Sequence, residues 1–402
     1  MNLYQNNSPQ DLIKKYQSPL YVYNENILRS RCQHMKNLCT YPHFAVNYAM
    51  KANTNIHLLD IVRQEGLRID ASSQGEVVLA MAAGYQPQQI MFIVNNVSPD
   101  ELKFAADTGL TVSVDSLSQL ETYGKINPGG KITLRFNPGV GGGHHEKVIT
   151  GGDGTKFGIM PALIPQVLAL LKKYQLQLIG INHHIGSQNW GDLYLEGVEA
   201  LLAIASNFTT LEFIDIGGGF AIPYHKQDGE QPIDLKNLGQ ALDKMMFDFA
   251  SKYGREIMFI IEPGRYIAAE CGVLLGTVHA VKENGDTHYT GTDLGFSVMA
   301  RTTLYDAHHD IEVYNQRTTT RVTNIVGNQC ESGDYIAKDR ELPTMAEGDI
   351  IAIMDAGAYG YSMSSQYNHR LRPAEVLICA DGSVKQIRRR DTYQDMLTNM
   401  NM

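Results

Sequence analysis

The segment LRIDASSQGEVVLAMAAG, residues 67–84, holds one complete structural unit. Its first run, Leu67–Ala71, reads as a strand; Ser73 followed three residues later by Glu76 is a capping box, and the helix it starts stops at Gly84. The same plan recurs on both sides. Upstream, the run Phe44–Ala49 leads through Asn53 and Thr54 into an apolar-periodic stretch, Ile56, Leu59 and Val62, that ends at Gly66. Downstream, Ile90–Asn95 precedes Ser98, Pro99 and Glu101, where Ser caps, Pro suits the first helical position and Glu reaches back, before a stop at Gly109. Leu110–Asp115 precedes Ser116 and Gln119, the same device once more.

Further strand candidates at Lys131–Asn137, Leu178–Ile185, Leu211–Ile216 and Ile257–Ile261 bring the βα units to eight. Eight units suggest a closed parallel TIM (β/α)8 barrel; an open doubly wound sheet repeats the same pattern, since periodicity does not report closure. The placement of polar residues favours the barrel. Lys51, Asp70 with Ser72, Asn95 with Asn96, Asp115, Arg135, His184, Gly217–Gly219 and Glu262 all stand at or just past a strand's C-terminal end, the rim on which barrel enzymes build active sites.

Beyond about residue 270 the pattern changes to short alternating segments, Gly272–Ala280, Arg321–Val326, Asp349–Met354 and Ala374–Cys379, broken by Gly, Asn and Asp, as in a mostly antiparallel β-domain. We therefore expect an α/β chain with a barrel over residues 25–270 and a β-domain over 271–402, which residues 1–24 join through Pro19–Tyr23. The glycine-rich stretch Gly139–Gly154, with His144 and His145, reads as a mobile loop.

Composition narrows the function. With 34 basic and 43 acidic residues the formal charge is -9, and there is no basic run, so nucleic acid and anionic membrane are poor partners and small polar substrates are better ones. The start, MNLYQNNSPQ, lacks a signal peptide's charged-then-apolar layout, and no apolar run is long enough to span a bilayer, so a cytoplasmic protein is expected. The five cysteines, Cys32, Cys39, Cys271, Cys330 and Cys379, are scattered without a C-x-x-C pair and read as free thiols.

Each motif has a plain and a chemical reading. Lys51 ends a buried strand, where most lysines reach out to solvent; at an apolar barrel mouth, desolvation would lower its ammonium pKa, as a Schiff-base amine requires. Gly217, Gly218 and Gly219 follow a strand and expose N–H groups that can cradle a phosphate, although a tight turn explains them equally. They are not the dinucleotide fingerprint. His183 and His184 are adjacent at a strand end and must face opposite ways, which makes them poor joint metal ligands, and no metal is expected. The inward imidazole is either a hydrogen-bonded core group or a flat surface for a cofactor ring. Glu262, in the turn Glu262-Pro263-Gly264-Arg265, aims a carboxylate at the barrel mouth, either to keep a pyridine nitrogen protonated or to pair with Arg265 or Arg135. Cys330 and Tyr359 would mean little in isolation.

Together the segments YAMKAN, DASSQGE, RFNPGV, KFG, HHIGSQ, DIGGG, EPGR, RTTLY, CESGD and DAGAYG, in this order along nearly the whole chain, resemble the alanine-racemase-like, fold-type III decarboxylases that use pyridoxal 5'-phosphate. The resemblance implies a TIM barrel followed by a β-domain, in a head-to-tail homodimer with active sites shared at the subunit interface. It implies that Lys51 carries the cofactor, that His184 stacks on the pyridine ring and that Glu262 partners the ring nitrogen. Ser187, the Gly217–Gly219 loop, Pro263, Gly264, Arg265 and Tyr359 would contact the cofactor. Arg265, Arg301, Tyr305, Glu331 and Tyr359 would hold the substrate, and Cys330 from the other subunit would protonate the carbanion.

Arginines suit a distal carboxylate, which a guanidinium binds bidentately, and the expected reaction is decarboxylation of meso-2,6-diaminopimelate to L-lysine in lysine biosynthesis. One departure bears on the substrate. Arg301-Thr302-Thr303-Leu304-Tyr305 lacks the family's Pro two residues before Leu-Tyr and is followed by Asp306, which is reminiscent of the ornithine-decarboxylase branch. Rival readings are a related decarboxylase for another amino acid or for a siderophore or carrier-linked intermediate, a racemase, a non-catalytic regulator on this scaffold, and a metal-dependent hydrolase using His183 and His184.

Overall fold

A computed structural model describes residues 2–142, 145, 149–152, 154–188 and 191–400. Of the Gly139–Gly154 stretch, His144 with residues 143, 146–148 and 153 lies outside the described residues, and so does the reading of that stretch as a loop. The chain divides into two compact units, one of residues 31–222 and 232–267, the other of 1–30, 223–231 and 268–402.

After the N-terminal strand β1 (Leu20–Asn24), eight strands build the first unit: β2 (Phe44–Ala49), β3 (Arg68–Ala71), β4 (Ile90–Ile93), β5 (Thr111–Val114), β6 (Lys131–Arg135), β7 (Gln177–Asn182), β8 (Phe213–Asp215) and β9 (Met258–Ile261). They run parallel in sequence order, and β9 pairs back onto β2, which closes the barrel. Closure excludes the open sheet. The helix starts follow local chemistry, with variations. Ser98 and Glu101 form the full reciprocal box, whereas Glu76 reaches past the cap residue to the Ser72 N–H at 2.6 Å. Gln119 turns its amide to the Val97 carbonyl at 3.1 Å, and Asn55 rather than Asn53 or Thr54 caps the helix Ile56–Gln64.

Several strands end sooner than the apolar runs do. β7 stops at Asn182 and β8 has three residues, so residues 183–188 and 216–222 leave the barrel as rim loops. Inside the barrel the lining is polar as well as apolar: Ser113 donates to Asn182 Oδ1 at 2.7 Å with both residues buried.

The second unit is built on β1 with β10 (Gly272–Asn284), β11 (Thr287–Thr292), β12 (Ile311–Tyr314), β13 (Thr320–Val326), β14 (Tyr335–Pro343), β15 (Ile350–Ile353), β16 (Ala374–Ile378) and β17 (Val384–Arg388). The sheet is mostly antiparallel, with β1 parallel to β16 and β11 parallel to β13. All five β1 residues are buried because both faces are covered. Leu20 and Val22 pack with Val273, Leu275, Val376 and Ile378, each large apolar side chain contributing about 1.5–3 kcal/mol. On the other face Tyr23 donates to Glu375 Oε1 at 2.7 Å and Tyr21 to the Val298 carbonyl at 2.5 Å.

Three segments depart from the expected 25–270 range: 25–30 and 268–270 at its ends, and 223–231 within it. Residues 223–231 group with the β-unit because their polar contacts lie there: Lys226 Nζ meets Glu270 at 2.8 Å and Asp355 at 2.7 Å, and Gln227 N donates to Asp310 Oδ2 at 3.0 Å. Among the described residues no helix is long and apolar enough to cross a membrane. All five cysteines are free thiols, and Cys330 is exposed.

Candidate active site

Lys51 leaves β2 in one 3-10 turn, Met50–Ala52. Just before it, Ala49 N donates to the Pro263 carbonyl at 3.3 Å, which ties the end of β2 to the Glu262-Pro263-Gly264-Arg265 turn after β9. Glu262 N donates to the Gly217 carbonyl at 2.9 Å, tying that turn to the glycine loop after β8. Gly218 N donates to His184 Nδ1 at 3.3 Å. Backbone contacts thus gather Lys51, Glu262, the glycines and His184 on one rim.

The glycines are required by close approach. A Cβ on Gly217 would lie 2.3 Å from the His183 carbonyl oxygen, and one on Gly218 would lie 2.1 Å from that of Glu262, distances no side chain tolerates. Their N–H groups are not the free row that the sequence suggested: Gly217 N bonds Asp215 Oδ1 at 2.9 Å, and Gly218 N faces His184. Polar groups suited to a phosphate come also from Ser187, whose hydroxyl accepts from Arg265 Nη2 at 2.8 Å. Gln188, which sequence reasoning passed over, brackets Ile222 with both ends of its amide at 2.9 and 3.0 Å and fixes the two rim loops to each other.

The two histidines part as strand alternation requires. His183 is wholly buried with Nε2 at 3.0 Å from the Ile216 carbonyl, and burial pushes its pKa down to about 4. Burial, then Lys51, Arg135 and His183, hold His184 well below the ordinary histidine value, so its ring is neutral.

Four carboxyls share the upper barrel: Asp70, Asp115, Asp215 and Glu262. Burial raises the pKa of each, that of Asp215 to about 7 and that of Glu262 well above the ordinary value, while Lys51 or Arg135 opposes the rise. The negative charge of Asp215 raises Glu262 further, so the pair retains a proton near neutral pH. Glu262 is 7 % exposed, and its Oε1 is buried without a protein partner. That partnerless oxygen, on the rim that also carries His184 and the glycine loop, fits a flat ring with a protonated nitrogen. Lys51 departs from the expected desolvated amine: it is exposed, and its charge acts on Asp70, Glu76, His184 and Glu262.

The other residues singled out in the sequence belong to the β-unit. Arg301 is 2 % exposed; its Nη1 meets His309 Nε2 at 2.5 Å and its guanidinium lies 4.8 Å from the Tyr224 ring centre. The sequence offered no signal for either neighbour. Tyr305 ends the short helix Ala300–Leu304, and Asp306 follows with φ 48°. Thr303 Oγ1 donates to the Gly333 carbonyl at 3.3 Å and Thr302 Oγ1 to that of Tyr335 at 3.0 Å, which tethers the RTTLY helix to the CESGD turn. In that turn Cys330 N donates to Asn368 Oδ1 at 2.8 Å, and Glu331 accepts from the Tyr367 hydroxyl. Tyr359 holds φ 57°. One trio in this unit, His225, Asp228 and His308, is spaced to hold a metal ion, but Arg340 Nη1 stands 3.2 Å from His308 Nδ1 and sets a positive charge against a cation there.

Residues 25–269 match the pyridoxal-dependent decarboxylase pyridoxal-binding domain. The chain is 41 % identical to the diaminopimelate decarboxylase of Methanothermobacter thermautotrophicus over 98 % of its own length and 94 % of the relative's. It is 34 % identical to that of Escherichia coli K12 over 94 % and 93 %. The crystal structure of the Helicobacter pylori enzyme superposes with a TM-score of 0.89 at 29 % identity, covering 97 % of this chain and 98 % of that one. By the matched domain and by near-full-length identity, the chain belongs to the pyridoxal-dependent decarboxylases and, among them, to the diaminopimelate decarboxylases.

Proposed function

We propose a division of labour for the reaction of this enzyme, the pyridoxal-phosphate-dependent decarboxylation of meso-2,6-diaminopimelate to L-lysine and carbon dioxide. The observation that carries it is the run of contacts Ala49–Pro263, Glu262–Gly217 and Gly218–His184, which supports one amine, one proton-holding carboxyl and one neutral ring around a single mouth. Lys51 Nζ would hold the cofactor covalently, and the neutral face of His184 would support its ring. Ser187, the Gly217–Gly219 loop, Pro263, Gly264, Arg265 and Tyr359 complete the cofactor's contacts. When bound, pyridoxal phosphate supplies a ring that accepts the electron pair left by departing carbon dioxide. Glu262, whose Oε1 has no protein partner, would accept from the ring nitrogen, and its negative charge would favour the protonated ring.

Arg265, Arg301, Tyr305, Glu331 and Tyr359 hold the substrate, the Arg301 fork being oriented by His309 and Tyr224. The Helicobacter pylori relative is described in complex with L-lysine, which supports a small amino acid as the ligand here. Asp306, in a left-handed conformation directly after Tyr305, turns the chain, and its presence does not call for an ornithine-type substrate. The thiol of Cys330 returns a proton to the α-carbon. Cys330 and Glu331 are exposed on the single chain, which supports their serving the partner subunit's site in a cytoplasmic homodimer.

Incubating the protein with pyridoxal phosphate and meso-diaminopimelate should release carbon dioxide and L-lysine in equal amounts; absence of lysine would end this reading. Shared sites are tested by mixing the inactive Lys51→Ala and Cys330→Ala proteins. Random exchange of subunits should restore about a quarter of wild-type turnover, because half of the dimers then carry one intact site. No recovery despite exchange would place Cys330 in its own chain's site.

A further inference from the structure

The lower mouth of the barrel, formed by the N-terminal ends of the strands, holds a cavity of about 270 Å³ that the decarboxylation does not use. Its charged lining groups are Arg68, Lys131 and Glu212. Lys131 is neutralised by Glu212, whose carboxylate lies 2.9 Å away. Arg68 is not: among the described residues no carboxylate pairs with it, and its guanidinium donates only to the Gln88 carbonyl at 2.9 Å and faces the Met258 sulfur at 3.7 Å. Burial alone lowers its pKa. The cavity therefore carries one uncompensated positive charge.

A second polar group stands beside it. Asn47 on β2 is the register partner of Arg68 on β3, so the two side chains leave adjacent strands at the same level, and both line the cavity. Asn47 is 2 % exposed; its amide oxygen has no protein partner and its amide nitrogen meets only the Met91 sulfur at 3.7 Å. A buried amide left this way is unfavourable unless something enters to satisfy it. The rest of the wall is apolar or weakly polar, with Met91, Ile179, Phe213, Met258 and Ile260.

We propose that this lower cavity is a second ligand site, separate from the cofactor mouth, which takes a small monocarboxylate with an aliphatic body. The guanidinium of Arg68 grips the carboxylate in a two-pronged hydrogen bond, the Asn47 amide completes the polar contact, and the methionines and Ile260 receive the chain. A single net charge selects a monoanion over a phosphate, and an amine of the same length lacks the anionic group the site is built for.

Calorimetric titration of the cofactor-loaded enzyme with sodium hexanoate and with hexylammonium chloride tests the assignment. Hexanoate should bind, hexylammonium should not, and Arg68→Gln should weaken hexanoate by about tenfold or more while lysine production stays unchanged. Gln89→Trp, which fills the mouth of the cavity and leaves Arg68 in place, should abolish binding too and covers the case in which the Arg68 variant fails to fold. Hexanoate that binds both variants as well as wild type, or that competes with diaminopimelate, sits in the catalytic mouth and overturns the proposal. So does the absence of any binding.

Discussion

The two ends of the barrel are made by the same eight strands, yet they carry opposite electrical characters. At the upper end four carboxyls, Asp70, Asp115, Asp215 and Glu262, face Arg135 and Lys51. Lining the cavity at the lower end are Arg68 and Lys131, with Glu212 paired to Lys131. The switch takes only a few residues of each strand: β3 passes from Arg68 to Asp70, two positions on and therefore on the same face of the strand. Excess buried acid keeps protons at the upper end, where a cofactor ring needs one.

The contrast is tested most severely by Lys51→Ala. Turnover should fall by at least about a thousandfold, beyond what loss of simple acid–base assistance explains at its low end, and the visible absorbance of the lysine-bound cofactor should disappear. The barrel should stay folded, because Lys51 is exposed. The matching change below, Lys131→Gln, removes a positive charge from the other mouth and should leave turnover within about twofold, as expected of the stability face of a barrel. Equal losses from the two changes would erase the distinction between the ends.

A smaller effect is expected from Glu262→Gln. The amide cannot keep a ring nitrogen protonated, so kcat should drop by about a hundredfold while KM for diaminopimelate changes little. The visible band should remain, since Lys51 is untouched. An unchanged kcat would mean that ring protonation is supplied elsewhere in the carboxyl cluster.

How far this arrangement can be foreseen depends on which physical signal each part leaves in the chain. The eight units announce themselves because caps such as Ser98 with Glu101 and stops such as Gly109 are local in sequence. Lys51, His184 and Glu262 are legible because strand ends point at the upper rim. The function of Gly217 and Gly218 is half legible: glycine marks the loop, but its packing against the His183 and Glu262 carbonyls is a contact between distant strands. The same is true of Asp215. It reads as the end of a strand, and nothing in its neighbours says that it will share a proton with a residue 47 positions later. In the β-unit, Arg301 could be assigned only by resemblance, and its burial against Tyr224 and His309 is invisible to periodicity. Residues 223–231 read as part of the barrel because lone Lys226 and Gln227 carry no hint of Asp355 or Asp310 as partners.

The gentlest test concerns the proton that the upper end retains. Asp215 is wholly buried, and its pKa in the fold, about 7, lies well above that of an ordinary aspartate. Between the ordinary value and about 7 the folded apoenzyme therefore binds a proton that the unfolded chain has released. Stability from this group is full below that window and is lost as pH rises through it, by up to about 1.4 kcal/mol per pH unit for one proton. Glu262, also raised, extends the decline upward. His183 and His184, held below the ordinary histidine value, gain stability with pH over part of the same range, so the test is a difference. From pH 5 toward pH 8 the cofactor-free wild type should lose melting temperature relative to Asp215→Asn, whose amide oxygen still accepts from Gly217 N. If the variant instead tracks wild type across that range, the proton belongs to another carboxyl, and Asp215 serves only to hold the glycine loop through its 2.9 Å bond. The expected difference, together with a reduced kcat and an unchanged KM, would assign it the further task of keeping Glu262 supplied with the proton that the ring nitrogen takes up.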